Sequence, residues 1–413
     1  MFSLLGFSRR VFFAIGVSLV GAVPQVFAGV VELTASFAPD PTNVGLNKFV
    51  NTTPVSGYCS TYPHVCAAYN MFSIVVPFTL HASATIIAGH SDSRQGAMVK
   101  VPADWVDLDV VSSTGDRKNL KLRISGFGGV KRYPQDVTTL TGVNGLFAAH
   151  AALWEGSHWV NPPVNCLGSG VGAATLRSYR FFWRTPSAAY CAKKAKFNID
   201  DLKMDGINIA YEIIAPDPLS MVAGNYFGSI TYVVGPNGDF DFGDILQPTD
   251  SALTLNFTLS VMHIFNVQFP PGADQLSLIP DGGWQQWLHR GRRPEKLFAN
   301  QSFQVWNSAR FNMQLQCQYV VGEQCGIQNE SGHLVPVETR VTLPAGITAL
   351  SGMAVNRQLL SNTHATNFIP SQYVDNGRAT LHFEVGRDSV KEMTDYAGSR
   401  YSGNVTVVWD SEM

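Results

Sequence analysis

Alternation of apolar and polar positions runs through much of this chain, and its clearest instance is the closing stretch YSGNVTVVWDSEM at residues 401–413. By period two, Val405, Val407 and Trp409 fall on one face and Thr406 and Val408 on the other, which predicts a strand with at least one buried face. The same pattern predicts strands over Leu253–Leu259, Ser302–Trp306, Asn312–Tyr319, Val335–Leu343 and Thr380–Val385. Long runs at helical period are few. With 37 Gly, 22 Pro and abundant Val, Thr and Phe, the chain is expected to be all-β, with many short strands joined by turns.

Comparing the chain with itself reveals a repeat. Tyr226-Phe-Gly228-Ser-Ile230-Thr231-Tyr-Val233-Val234 aligns with Tyr401-Ser-Gly403-Asn-Val405-Thr406-Val-Val408-Trp409: an aromatic, a glycine, then an apolar-Thr-x-Val strand. After the first copy, Asn237-Gly238 is a hairpin signal and Asp239–Phe242 alternates as a returning strand would. After the second, four residues remain. A turn-rich stretch around 245–251 reads as a linker. The expected organisation is therefore a first domain over 29–244 and a second over 252–413.

Strand spacing in the second domain is that of an immunoglobulin-like sandwich, which needs a seventh strand to close its core. The chain offers none, so a groove beside the last strand is expected to await a segment from another chain, by β-strand addition. Val405, Val407 and Trp409 are expected to line that groove. Leu253, Leu255, Phe257 and Leu259 are expected to form its other wall.

At 413 residues the chain has room for two cores, while 15% charged residues and a net charge of −2 leave no broad basic surface for nucleic acid or acidic lipid. The N-terminus changes the picture more. Arg9 and Arg10, the apolar run Val11–Val23 and the small-residue site Val26-Phe27-Ala28 read as a signal peptide over 1–28, the apolar run being too short for a membrane span. The protein is thus expected to be exported, its mature chain starting at Gly29. Its six cysteines then read as three local disulfides, Cys59–Cys66, Cys166–Cys191 and Cys317–Cys325. A metal site is disfavoured because no Cys-x-x-Cys occurs and no histidine lies at ligand spacing.

Catalytic readings find little support. His90, Ser91 and Asp92 are adjacent, but neighbours on an extended chain point in alternate directions and do not converge as a triad must. The glycines of GSGVGAA at 168–174 lack a βαβ context. His150 and His158 have no third ligand at useful spacing, and Arg290, Arg292 and Arg293 read as a solvated loop.

The C-terminal half carries WLHRGRRPEKL at 287–297, FNMQLQCQYVVGEQCGI at 311–327, VTLPAGI at 341–347, LHFEV at 381–385 and the closing YSGNVTVVWDSE. In these motifs it resembles the CblD-like pilus initiator family. These are tip subunits of chaperone–usher fimbriae of Gram-negative bacteria, related to the tip adhesins of colonisation-factor pili. The N-terminal half matches more loosely, in its two cysteine pairs and in YFGSITYVV.

The resemblance implies two immunoglobulin-like β-sandwich domains, an adhesin followed by an incomplete pilin fold lacking its last strand. It implies no enzyme and no cofactor. The partners would be a periplasmic chaperone, an outer-membrane usher, a major pilin donating its N-terminal strand, and a host cell-surface glycan. The subunit would sit at the fimbrial tip on the cell surface, and Met413 would meet the chaperone. The start GVVELTASFAPD runs straight into a strand-like stretch, as expected of a subunit that accepts a strand and donates none.

Tip adhesins of the resembled type engage acidic glycans through arginines. Here the corresponding candidates are Arg117, Lys121, Arg123 and Arg132, with Lys118 and Lys131 among them, and Arg177, Arg180 and Arg184 beside Tyr179 and Trp183. The stretch IIAPDPLSMVAG at 213–224 carries no basic residue where those adhesins have an arginine cluster. Two other functions stay open: an initiator without receptor binding, and a secreted carbohydrate-active enzyme.

Overall fold

The computed structural model describes residues 28–411. Residues 1–27 of the expected signal peptide and Met413 lie outside the described residues.

The first unit is built on one continuous sheet of 13 strands. Its long members are β1 (Ala28–Phe37), β2 (Val106–Ser112), β3 (Arg117–Arg132), β4 (Ser178–Arg184), β5 (Lys203–Ile214), β6 (Gly224–Val233) and β7 (Ala252–Val261). Along the sheet the order is β5-β3-β2-β6-β7-β1, with β4 bonded to the far half of β3. Two bulges shift the β3–β5 register, which lets this long ladder bend. Its inner face buries Leu120, Leu122, Ile124, Phe127, Phe181, Trp183, Ile209 and Tyr226 in a single core. Short helical turns around Tyr58–Ala68, stapled by Cys59–Cys66, cover the outer face of β4 with Tyr58 stacked on Phe182 at 4.8 Å.

Here three expectations are corrected. The strand Leu253–Leu259 belongs to β7, which pairs antiparallel with β6 from Gly224↔Val261 to Val233↔Ala252 and parallel with β1 over ten residue pairs. Leu253, Leu255, Phe257 and Leu259 are all buried in the first core, so they form no wall of a groove in the second domain. The supposed linker at 245–251 is likewise internal: Leu246–Pro248 pairs with Leu80–Ala82, and Ile245 and Leu246 are buried. Asp239–Phe242 forms isolated bridges, Val234↔Phe240 and Lys100↔Asp241, in place of a returning strand. Its alternating phenylalanines are core residues that pack against Phe78 and Tyr232.

The boundary between the units therefore falls at Met262–Ile264. Met262 N–H donates to the Phe37 carbonyl at 2.9 Å, and His263 reaches both sides: Nε2 donates to the Met221 carbonyl at 2.9 Å, and Nδ1 lies 3.2 Å from Ser308 Oγ.

The second unit is a two-sheet sandwich. One sheet runs β8 (Phe265–Gln268), β9 (Leu297–Asn307), β13 (Val374–Val385) and β11 (Leu334–Thr342), continued by the hairpin of Tyr319–Val321 and Gln324–Gln328. The other runs Ile347–Ala349, β12 (Thr366–Pro370), β10 (Phe311–Cys317) and β14 (Val405–Ser411). Phe303, Val305, Met313, Leu315, Val341 and Leu381 fill the space between them. The strands expected from alternation in this unit are present, except that Asn312–Tyr319 breaks at Gln318, its strand ending at Cys317 and Tyr319 joining the hairpin of the facing sheet.

Candidate functional site

Strand β14 is an unpaired edge of the second sandwich. It pairs antiparallel with β10 from Phe311↔Ser411 to Cys317↔Val405, and among the described residues no strand lies on its other side. The repeat makes the comparison direct. The first copy, β6, is flanked by β2 and β7, whereas the second has a single neighbour. In both copies the glycine admits a neighbouring backbone: a Cβ on Gly228 would sit 2.6 Å from the Asp109 oxygen, and one on Gly403 2.6 Å from the Gly326 oxygen. In both, the tyrosine is anchored through its hydroxyl, Tyr226 to Asp116 at 2.6 Å and Tyr401 to His333 Nδ1 at 2.8 Å.

Beside the unpaired edge runs an apolar groove of about 550 Å³. Val405, Val407 and Trp409 line one side and stay only half-buried, although they pack on the second core. Leu381 and Phe383 of β13 form its floor, with Val337 and Ile327 at one end. The opposite wall is the irregular segment Phe269–Leu278, which contributes Phe269, Leu276 and Leu278 and leaves Leu276 41% exposed. That segment connects β8, bonded to β9 at Gln304–Asn307, with Ile279–Pro280, bonded at Leu297–Phe298. The Cys317–Cys325 disulfide clamps the end of β10 to the hairpin of the facing sheet. Sequence reasoning missed Phe269, Leu276 and Leu278 because the stretch FPPGADQLSL has no strand period. Its apolar residues between two short strands were the available signal.

This arrangement offers a strand-shaped ligand two things. The β14 edge presents unpaired backbone N–H and C=O groups, and alternate side chains of the incoming strand can enter the groove. An open apolar groove with an exposed edge is also an association hazard for an isolated chain.

The cations expected to bind a receptor are brought together by the adjacency of β3, β4 and β5 but are mostly neutralised there. Arg123 Nη2 lies 2.7 Å from Glu212 and its guanidinium sits over Trp105. Arg132 pairs with Asp205, Arg177 with Asp136 at 2.7 Å, Lys121 with Asp107 at 3.5 Å and Lys118 with Asp116 at 3.4 Å. Arg184 lies 3.9 Å over the Tyr69 ring and donates to the Gly168 carbonyl. Arg180 makes a long contact to Thr61 Oγ1, and Arg117 forms no ion pair with a described residue. Lys131 is not on the surface at all: its Nζ is buried 3.8 Å from the Trp159 ring centroid without a hydrogen-bond acceptor, and burial pushes its pKa down to about 7.

His90, His150, His158 and Lys193 are held in structural contacts. His90 Nδ1 meets the Asp92 backbone oxygen, and the Asp92 carboxylate accepts from Arg94 N–H, so these residues do not assemble a triad. His150 and His158 flank Tyr179, bonded to the Thr175 carbonyl and the Tyr179 hydroxyl respectively. Lys193 Nζ donates to the carbonyls of Gly156 and Ser157 at 3.1 and 3.0 Å, and burial lowers its pKa to about 8. Among the described residues no three His, Cys, Asp or Glu side chains converge as a metal site would require. The three disulfides form as their spacing suggested.

No family model and no curated protein matches the chain. Two solved structures align with it over most of their length. One is a CsuC–CsuE chaperone–tip adhesion subunit pre-assembly complex of the archaic chaperone–usher Csu pili of Acinetobacter baumannii, at 8% identity and TM-score 0.21, covering 93% of this chain and 99% of that one. The other is the CupB6 tip adhesin of Pseudomonas aeruginosa, at 10% identity and TM-score 0.25, covering 80% and 94%.

Proposed function

We propose that this chain is a tip subunit of a chaperone–usher pilus whose second sandwich accepts a β-strand from another chain and so starts a fibre. The observation that carries the reading is the coincidence of an apolar groove with the unpaired edge of β14. An incoming strand would bond to that edge and place alternate apolar side chains between Val405, Val407 and Trp409 and the floor of Leu381 and Phe383. During export a periplasmic chaperone would lend such a strand, with Met413 at its contact, and at the outer-membrane usher the N-terminal extension of a major pilin would replace it. Residues 28–37 are bonded into the first sheet, so that segment is not available as a donor. The resemblance in the C-terminal motifs points the same way.

The first domain would then face outward at the fibre tip and bind a host-surface glycan. A second reading, an initiator that binds no receptor, is favoured by the ion pairs that occupy Arg123, Arg132 and Arg177.

The test is complementation. The full chain is expected to be soluble and to unfold cooperatively when co-expressed with its chaperone, or with a pilin-derived alternating peptide fused after Met413, and to aggregate without either. Equal solubility and an unchanged melting temperature in all three states would defeat the reading.

A further inference from the structure

Away from the groove, the first domain holds a second concavity of about 650 Å³, within the size range of small-molecule sites. Its frame is preorganised. Arg94 Nη1 lies 2.8 Å from the buried Asp241 and Nε 2.9 Å from Asp244, while the Asp241 backbone bridges Lys100. Burial works against ionisation of Asp241, but the Arg94 guanidinium and the Gly243 N–H outweigh it and hold the carboxyl below its ordinary range. The Cys166–Cys191 disulfide and the Asn165 side chain, which donates to the Tyr190 carbonyl at 3.0 Å, fix the opposite rim.

Inside this frame several polar side chains have no hydrogen-bond partner among the described residues: Lys100, Ser91, Ser93, Asn237 and the Tyr190 hydroxyl all line the cavity. The Tyr190 ring remains 50% exposed at its mouth. Asn237 is held at φ 61°, a left-handed conformation that asparagine tolerates better than most residues.

We infer that this cavity is the glycan-binding site, and that it takes a neutral, hydroxyl-rich saccharide. The inference rests on the adhesive half of the reading above. Three physical points carry it. The Arg94 charge is spent on Asp241 and Asp244, and the lining's Lys100 and Asp92 carry opposite charges without pairing, so the wall as a whole offers an acidic sugar little net attraction. The free groups include both donors and acceptors, which sugar hydroxyls require and a carboxylate does not. The exposed Tyr190 ring supplies an apolar face for the C–H side of a pyranose, with its hydroxyl at the wet end.

The experiment is a glycan array bearing neutral hexose- and N-acetylhexosamine-terminated chains beside sialylated and sulfated ones, probed with the full chain prepared with its fused peptide. Wild-type protein is expected to bind neutral glycans. Tyr190→Ala and Lys100→Ala, each removing one contact from the cavity wall, are expected to weaken that binding about tenfold, while Arg180→Ala and Arg123→Ala leave it unchanged. Matching melting temperatures would show that the Tyr190 and Lys100 variants fold. Neutral-glycan binding undiminished in both variants, or signal confined to acidic glycans, would overturn the inference and leave the adhesive reading standing. Binding to no arrayed glycan would overturn both, while strand acceptance is scored separately by the solubility of the fusion.

Discussion

The Trp409 indole stands edge-on to the Phe303 ring across the second sandwich, with centroids 5.4 Å apart and planes at 73°. Trp409 belongs to the unpaired strand β14 and Phe303 to β9 of the facing sheet, so this contact ties the two sheets together beside the unpaired edge. Trp409 also lies near Phe265 and Phe311. Trp409→Ala should destabilise the second domain by about 2–3 kcal/mol, below the usual cost for a fully buried tryptophan because this one is half-exposed. Chemical denaturation of the peptide-fused chain measures it. A loss below about 0.5 kcal/mol, the level of an ordinary surface substitution, would show that the indole does not tie the sheets.

Strand acceptance makes a sharper demand on Val407. It sits mid-strand opposite Leu315, with its side chain lining the groove. Val407→Lys would put an ammonium where an incoming apolar side chain must lie, and a buried unpaired charge costs several kcal/mol. A synthetic donor peptide should then bind at least about 100-fold more weakly. Thr406→Lys, on the alternate position of the same strand, should change affinity far less. Equal losses for the two would mean that the peptide does not read the alternation.

The relation between these two positions was legible in the sequence, because period two alone separates Val405, Val407 and Trp409 from Thr406 and Val408. The strand itself was foreshadowed by the repeat, since β6 and β14 share a motif. What misled was the identity of the groove's other wall. Leu253–Leu259 alternates as well as any core strand, but alternation says that a face is buried and not against which sheet. Its ten-residue ladder with β6 is a long-range pairing that period cannot encode. The arginines show the converse: their number was visible, yet Glu212, Asp205 and Asp136, which neutralise three of them, come from distant parts of the chain.

The joint between the domains should respond to acid through His263. Nε2 donates to the Met221 carbonyl, so Nδ1 carries the lone pair and accepts from Ser308 Oγ, which in turn accepts from the Ile264 N–H at 2.9 Å. Burial lowers the pKa of His263 from its ordinary 6.5, the carbonyl bond opposing it in part. With the folded value depressed, the contribution to stability is present above about 6.5 and is lost as pH falls through the folded value. The protection of the Ile264 amide, its exchange measured against the intrinsic rate at each pH, should therefore fall on acidification, and His263→Gln should remove that fall. An Ile264 amide equally protected in wild type and variant at every pH would contradict it.

Lys131 supplies the last test, and its sign is opposite to the usual expectation for losing a charge. Its ammonium lies among Trp159, Trp154 and Phe181 with no acceptor. Burial drives the pKa from 10.5 to about 7, while the indole face 3.8 Å away favours the charged form and offsets part of that cost. The folded state therefore binds the proton less tightly than the unfolded chain, so the penalty is absent above 10.5, grows as pH falls and is complete below about 7. Lys131→Met keeps the volume and removes the charge, so it should stabilise the first domain by about 1–4 kcal/mol near neutral pH, with a gain that shrinks steadily toward pH 10. Melting curves of both proteins across that range decide the point. A destabilised variant, or a difference that does not change with pH, would mean that the ammonium is held by a partner and is not merely buried.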